Sequence, residues 1–354
     1  MRAIFLTTTL FVAACSTMEP SGSDKPGDTR RESVVEPADF MVTALLETPI
    51  TDSLGDSADD PAIYIDGENG FILGSDKQRG IYVYNLDGTQ RAFLETGPVN
   101  NVDLREGFGG DVLIVASDDE EGAIVALTYS PLTDSFSAPS RISTPGIEPY
   151  GICLGKVGET FHAGATTKAG IYYQYAIARG ADGITGTAVR EFPTGTKTEG
   201  CVFDDRTQTL YIAEEMGGLY SYPAVGPAPQ TVIMREGEHG TRGDLEGVTL
   251  YPEGTDGGYL VLSSQGNNSY AVFSLPGAKF VSRFGIADGM LDGTSTTDGI
   301  AATAVPTARF PQGFLVVQDD HDDSFTPTGI EEIDDEVKRQ NFKIVDWREI
   351  AKGL

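Results

Sequence analysis

One pattern recurs six times along the chain: an apolar strand, a polar turn, and a second strand rich in Tyr, Val or Ile. The copies read FILGSDKQRGIYVYNL, VLIVASDDEEGAIVALTY, FHAGATTKAGIYYQYAI, LYIAEEMGGLYSYPA, YLVLSSQGNNSYAVFSL and FLVVQDDH…NFKIVDW. They begin at Phe71, Val112, Phe161, Leu210, Tyr259 and Phe314, at intervals of 41, 49, 49, 49 and 55 residues. Period-2 alternation within each arm predicts hairpins, and Gly after the polar cluster suits a turn that needs positive φ. A repeat in the forties with four short strands per unit is the sequence form of a β-propeller blade, and propellers have about 4 to 8 blades. A β-sandwich with irregular loops would not predict three equal intervals. The 43 Gly and 19 Pro of the 354 residues also suit short strands and turns, and they exclude a helical bundle. The expectation is an all-β, six-bladed β-propeller over residues 39–354. Its final blade should close by pairing strands from both chain ends, because Phe40 to Ile50 has no blade of its own.

A second row of polar residues precedes the hairpins: Asp59-Asp60-Pro61, Asn100-Asn101-Val102-Asp103, Glu148-Pro149-Tyr150, Thr198-Glu199-Gly200, Asp244-Leu245-Glu246-Gly247 and Thr297-Asp298-Gly299. From the last acidic or Tyr residue to the hairpin start there are 11, 9, 11, 11, 13 and 16 residues, room for one short strand and a turn. These residues open the innermost strands. In a four-stranded meander the first strand begins on the rim where the second turns into the third. The row and the hairpin tips, which include Lys77, Asp119, Lys168, Glu215, Asn267 and Asp319, should therefore line one mouth of the central channel. Carboxylates gathered there repel one another unless water or cations separate them. Carboxylates, amides and carbonyls in loops favour Ca²⁺ over Mg²⁺ or zinc. Such an ion could staple loops or take part in catalysis.

Charge excludes one class of partner. With 53 acidic against 25 basic side chains the formal charge is −28, the reverse of what a phosphate backbone requires, so no nucleic-acid partner is expected. At the N-terminus, Arg2 precedes an apolar run from Ala3 to Ala14 that is shorter than the roughly 20 residues of a spanning helix. Its end, with Cys15, reads Val12-Ala13-Ala14-Cys15 and resembles the lipobox of bacterial lipoproteins. The alternative is an ordinary secretory signal with an incidental Cys. Residues 1–14 are thus expected to be a lipoprotein signal peptide, Cys15 the lipidated residue, and 15–38 a flexible tether. The chain would be exported and anchored to a membrane, on the periplasmic side of the outer membrane of a Gram-negative bacterium, and is expected to act as a monomer.

Taken together these residues resemble the β-propeller phytases, calcium-dependent phosphatases that act on phytate (inositol hexakisphosphate). The resemblance is carried by Asp56 to Tyr64 (DSADDPAIY) and Asn100 to Arg105 (NNVDLR), then by Thr198 to Cys201, Ile212 to Glu215 and Asp244 to Gly247. It continues through Ser263 to Tyr270, Asp292 to Ser295 with Asp298-Gly299, and Asn341 to Val345. It implies that Asp59, Asp60, Glu199, Glu215, Asp244, Glu246, Gln265, Asp292, Asp298 and Asp319 hold calcium. It also implies that Tyr150, Glu199, Glu215 and Glu246 surround the scissile phosphate, and that Lys77 and Lys168 bind phosphate. The implied chemistry uses no covalent nucleophile, only a metal-activated water.

Three departures bear on substrate. Asp119 stands where the family has a phosphate-gripping Arg, Gln78 where a second Lys commonly follows the first, and Ala169 where an acidic residue is often found. Arg79 is placed to compensate for Gln78. A smaller phosphate ester is therefore an alternative to phytate, and a non-catalytic calcium-stabilised propeller binding a ligand or partner is the rival class. Lys77, Lys168 and Tyr150 beside the carboxylates favour hydrolysis. Cys153 and Cys201 follow row residues on neighbouring innermost strands, and an exported compartment permits their disulfide, but their facing is left open by the sequence. His162, His239 and His321 share no ligand spacing, and His321 to Gln340 should form a solvated loop interrupting the sixth hairpin.

Overall fold

The computed structural model describes residues 37–67, 69–326 and 333–354. The expected signal peptide, Cys15 and the tether up to residue 36 lie outside the described residues. Six sheets, each an antiparallel meander at its core, follow one another along the chain. Their innermost strands are Ala58–Asp66, Val102–Phe108, Ile152–Val157, Thr198–Asp204, Leu245–Glu253 and Ile300–Thr303. Each is packed against the next, and the sixth returns to the first, which closes a ring. The six hairpins are the second and third strands of the six blades, as in Asn69–Asp76 with Gly80–Tyr84 and Phe314–Asp319 with Asn341–Asp346.

The blades are held by six apolar clusters among the described residues, one between each pair of neighbours. This changes the meaning of the alternation in the hairpins. Ile81 and Val83 face the second blade, whereas Tyr82 and Tyr84 between them face the sixth. Both faces of a middle strand are therefore apolar, and Gly80–Tyr84 is buried at every position. Period 2 here separates two cores rather than core from solvent.

Closure uses both chain ends, and the N-terminal segment pairs in a second place as well. Leu46–Glu47 pairs with Asn341–Asp346 as the outer strand of the sixth blade. Phe40–Thr43 adds in parallel to Lys279–Ala287, giving the fifth blade an extra strand that the sequence reading did not foresee. Each added strand also covers an open sheet edge. Lys343, fully buried, pins the sixth blade: its ammonium meets Glu47 at 2.6 Å, Asp319 at 3.5 Å, and Asp292. The Cys153–Cys201 disulfide joins the innermost strands of the third and fourth blades. Around the His321 to Gln340 loop, the Asp322 N–H donates to the Arg339 carbonyl at 2.8 Å, tying its two ends together.

A candidate metal and phosphate site at one mouth of the channel

Glycine sets how near the row residues come to each other. A β-carbon on Gly151 would lie 2.0 Å from the Glu199 carbonyl, and one on Gly200 would lie 2.2 Å from the Glu246 carbonyl. On Gly247 it would lie 2.7 Å from the Asp298 carbonyl, and on Gly299 the same distance from that of Asp59. Tyr150, Glu199, Glu246 and Asp298 are each followed by one of these glycines. The missing side chain lets each blade's opening residue sit against its neighbour's main chain, so the acidic row is drawn into a tight arc. Serine and threonine at the ends of the second strands hold main-chain carbonyls of the row in the next blade: Ser117 Oγ donates to Tyr150 O at 2.7 Å, Thr166 Oγ1 to Glu199 O at 2.8 Å and Ser263 Oγ to Thr297 O at 2.8 Å.

Two groups of charge result. In the first, Glu199, Glu215 and Glu246 bring carboxylate oxygens within 4.8 Å of one another. All three are at least 96% removed from solvent, with 4%, 3% and 3% of their surface exposed. Asn100 Nδ2 donates to Glu199 Oε1 at 2.8 Å, and Lys197 Nζ meets Glu215 Oε1 at 2.9 Å. Glu246 Oε2 is buried and has no hydrogen-bond partner. Burial, with Glu199 and Glu215 adding to it, pushes the Glu246 carboxyl well above its usual range. Burial also raises Glu215 to about 7 against the pull of Lys197.

In the second group, Lys77 Nζ sits between Asp56 at 3.0 Å, Asp59 at 3.2 Å and Asp298 at 3.4 Å. Burial alone would lower the Lys77 pKa, but Asp59, Asp298, Glu199 and Asp56 outweigh it and hold the ammonium well above its usual value. Burial raises Asp59 strongly and Asp298 to about 6 in spite of that lysine. Gln265 Nε2 donates to Asp298. Tyr150 lies between the groups, with Lys168 Nζ 4.4 Å and Lys197 Nζ 4.9 Å from its ring centre. Burial, then Glu199 and Glu246, drives its phenol far above the normal range, so it stays protonated.

The mouth thus gathers Tyr150, Glu199, Glu215, Glu246, Lys77, Asp59, Asp298, Gln265 and Lys168. Asp60 and Asp244 stand at its edge: Asp60 Oδ2 accepts from Val102 N at 3.2 Å, and Asp244 lies close enough to Glu215 to raise its pKa. Asp292 and Asp319 do not join the cluster, since both are turned to Lys343. Neither does Arg79, which donates to Asp52 at 2.8 Å and lies over Phe93, so it does not replace the lysine missing at Gln78. Gln78 instead ties the rim loop, donating to the Leu54 carbonyl at 2.7 Å. Asp119 does reach the mouth, where it holds Lys168 at 2.8 Å. Sequence reasoning passed over Lys197 and Asp56 as site residues. Lys197 directly precedes the Thr198-Glu199 row, and its position there was the available signal.

The sequence profile of the family described as phytase matches residues 6–354. The chain belongs to the phytase family. It is an enzyme, a phosphoric monoester hydrolase of that class. Over 338 residues it is 39% identical to the 3-phytase of Bacillus subtilis strain 168, covering 89% of this chain and 86% of that one. More distant structures share the fold alone. A luciferin-regenerating enzyme matches with a TM-score of 0.54 at 11% identity, over 84% of this chain and 95% of its own. The PQQ-bound aldose sugar dehydrogenase of Streptomyces coelicolor gives 0.51 at 14% identity, over 87% of this chain and 99% of its own.

Proposed function

We propose that this phytase removes phosphate from phytate in a calcium-dependent reaction at the mouth lined by Glu199, Glu215 and Glu246. The observation that carries the reading is the orphaned, buried Glu246 Oε2 beside two further buried carboxylates. A buried anion without a partner is costly, and a hard dication offered several oxygens removes that cost. The donor set, three carboxylates with Asp59, Asp298 and Gln265 nearby, contains no nitrogen or sulfur ligand and fits calcium better than zinc. Asp292 and Asp319 are assigned to the Lys343 ion pair rather than to this group.

Calcium bound there would neutralise charge on the transferring phosphoryl group and activate water. The protein's own contribution is to fix and orient. Lys77 and Lys168 present ammonium groups to the non-reacting phosphate oxygens, and the protonated Tyr150 hydroxyl donates without adding negative charge. In the hydrolysis, a water oxygen bonds to phosphorus, the P–O bond to the inositol ring breaks, and the ring oxygen leaves with a proton. Without a cation the acidic mouth would repel the substrate, so occupancy governs binding as well as turnover.

A smaller phosphate ester is a second reading, favoured by Asp119, whose pairing with Lys168 diminishes the positive charge offered to a polyanion. Phosphate release from phytate and from p-nitrophenyl phosphate, each with calcium and with EGTA, tests both. Calcium-dependent release from phytate is expected; equal release in EGTA would refute the metal reading. Export as a Cys15-anchored lipoprotein is also proposed, and the Cys153–Cys201 disulfide supports an oxidising compartment.

A further inference from the structure

Two lysines stand over the ring of Tyr150, and their partners differ. Lys168 is held by Asp119, a carboxylate outside the buried triad, at 2.8 Å. Lys197 is held at 2.9 Å by Glu215, a member of the triad. We propose that Lys197 is a binding residue for substrate phosphate, kept against Glu215 until a divalent cation takes that carboxylate. The inference rests on the calcium-dependent reading above.

The geometry favours an exchange of this kind. A dication at the triad would take an oxygen of Glu215, and an ammonium 2.9 Å from Glu215 Oε1 would be repelled by it. The root of the lysine cannot leave, because the Glu215 N–H donates to the Lys197 carbonyl at 3.1 Å. The side chain is 41% exposed and has a flexible four-carbon stem, so its head can swing. It also stands over the face of Tyr150, which attracts a cation and lies beside Glu199 and Glu246 of the triad. Lys197 would thus neutralise Glu215 in the ion-free enzyme and a phosphate oxygen in the loaded one. Lys77 is less suited to this part, having three carboxylates around it and a side chain only 18% exposed. Lys168 has part of its charge taken by Asp119, so a second free ammonium over Tyr150 restores what that residue removes.

The test titrates calcium, and then inorganic phosphate at saturating calcium, into the wild type, Lys197→Gln and Lys197→Arg by calorimetry. Removing the competing ammonium should tighten calcium binding about threefold. Losing one charged hydrogen bond should weaken phosphate binding about tenfold. Lys197→Arg should keep phosphate affinity near that of the wild type. Opposite signs for the two ligands are the signature, since a lysine that only props the loop would weaken both when removed. Loss of both affinities, or phosphate affinity unchanged in Lys197→Gln, would overturn the proposal while leaving calcium-dependent hydrolysis standing. A wild-type protein that binds no calcium would overturn both.

Discussion

The mouth of the central channel and the part of it around Arg105 both set carboxylates against a cation, but they differ in one respect. Away from the mouth, Arg105 donates to Asp103 at 3.1 Å, to Asp205 at 3.1 Å and to the carbonyls of Leu104 and Phe203. The carboxylates are completed by main-chain donors, Asp103 from Leu154 N at 2.8 Å and Asp205 from Lys156 N at 2.9 Å. Three blades are joined there, around a cavity of about 300 Å³ that this group helps to line. At the mouth, Glu246 Oε2 and Asp59 Oδ2 are buried with no hydrogen-bond partner. A saturated network holds blades together; an unsaturated one is arranged for something that arrives. The difference separates structure from function where composition cannot.

The sharpest way to break the comparison is Glu246→Gln. If the mouth is unsaturated because it receives a cation, the change should reduce phosphate release from phytate by about 10²–10³-fold, as loss of a group that stabilises transition-state charge does. It should also raise the melting temperature in chelator, since a buried carboxyl whose ionisation is disfavoured there is replaced by a neutral amide without a change in volume. Wild-type turnover would place the chemistry elsewhere.

Arg105→Met is the complementary change. It leaves Asp103 and Asp205 unpaired and should cost about 2–3 kcal/mol of stability, below the full value for a buried pair because Arg105 is 24% exposed. Urea unfolding measures this. Activity per folded molecule should be unchanged, and a large loss of turnover in the folded variant would mean that the two regions are coupled.

The ring of blades was legible in the sequence because a hairpin repeat is a local pattern, and a period near 49 residues has few other meanings. The mouth followed from strand direction alone, which located Glu199, Glu215 and Glu246 on one rim. Partner choice was not legible. Asp292 and Asp319 carry the right chemistry and lie on the right loops, yet Lys343, on another strand of the sixth blade, takes both. Arg79 is one residue from the expected lysine position, but it closes the turn between the two hairpin strands and is directed to Asp52 and Phe93. The extra parallel strand Phe40–Thr43 was missed for the same reason, since four residues signal an edge without naming which sheet they cover. Gly200, Gly247 and Gly299 stood in the row motifs and Gly151 was passed over, and the reason for all four is a carbonyl of the next blade.

A smaller effect should appear with pH. Burial lifts Glu215 to about 7 and Asp298 to about 6, so the ion-free folded state keeps protons that the unfolded chain has released. Stability of the ion-free protein should therefore fall as pH rises from about 4.5 to 7. Calcium takes the place of those protons, so its stabilising effect should be about 2 kcal/mol larger at pH 7.5 than at pH 5. Unfolding curves in calcium and in EGTA at both pH values check this. An equal effect at the two would mean that the ion binds away from these carboxylates.

The smallest effect tests the one pair that belongs to neither region by type. Asp119 and Lys168 are matched like the Arg105 group, yet they stand at the mouth, with 26% and 52% of their side chains exposed. If the pair is a staple, Asp119→Arg should lower stability and leave substrate binding alone. If it withholds Lys168 from substrate, the change frees one cation and adds a second that can grip phosphate with two donors. An exposed pair contributes little to stability, which favours the second outcome. Phytate, with phosphates on every ring carbon, can engage both cations at once, whereas p-nitrophenyl phosphate has one group already held at the reacting centre. KM for phytate should fall about tenfold, equivalent to about 1.4 kcal/mol, with a smaller change for p-nitrophenyl phosphate. Equal changes for the two substrates would mean that the new arginine acts only on the reacting phosphate, and no change would make Asp119 a staple after all.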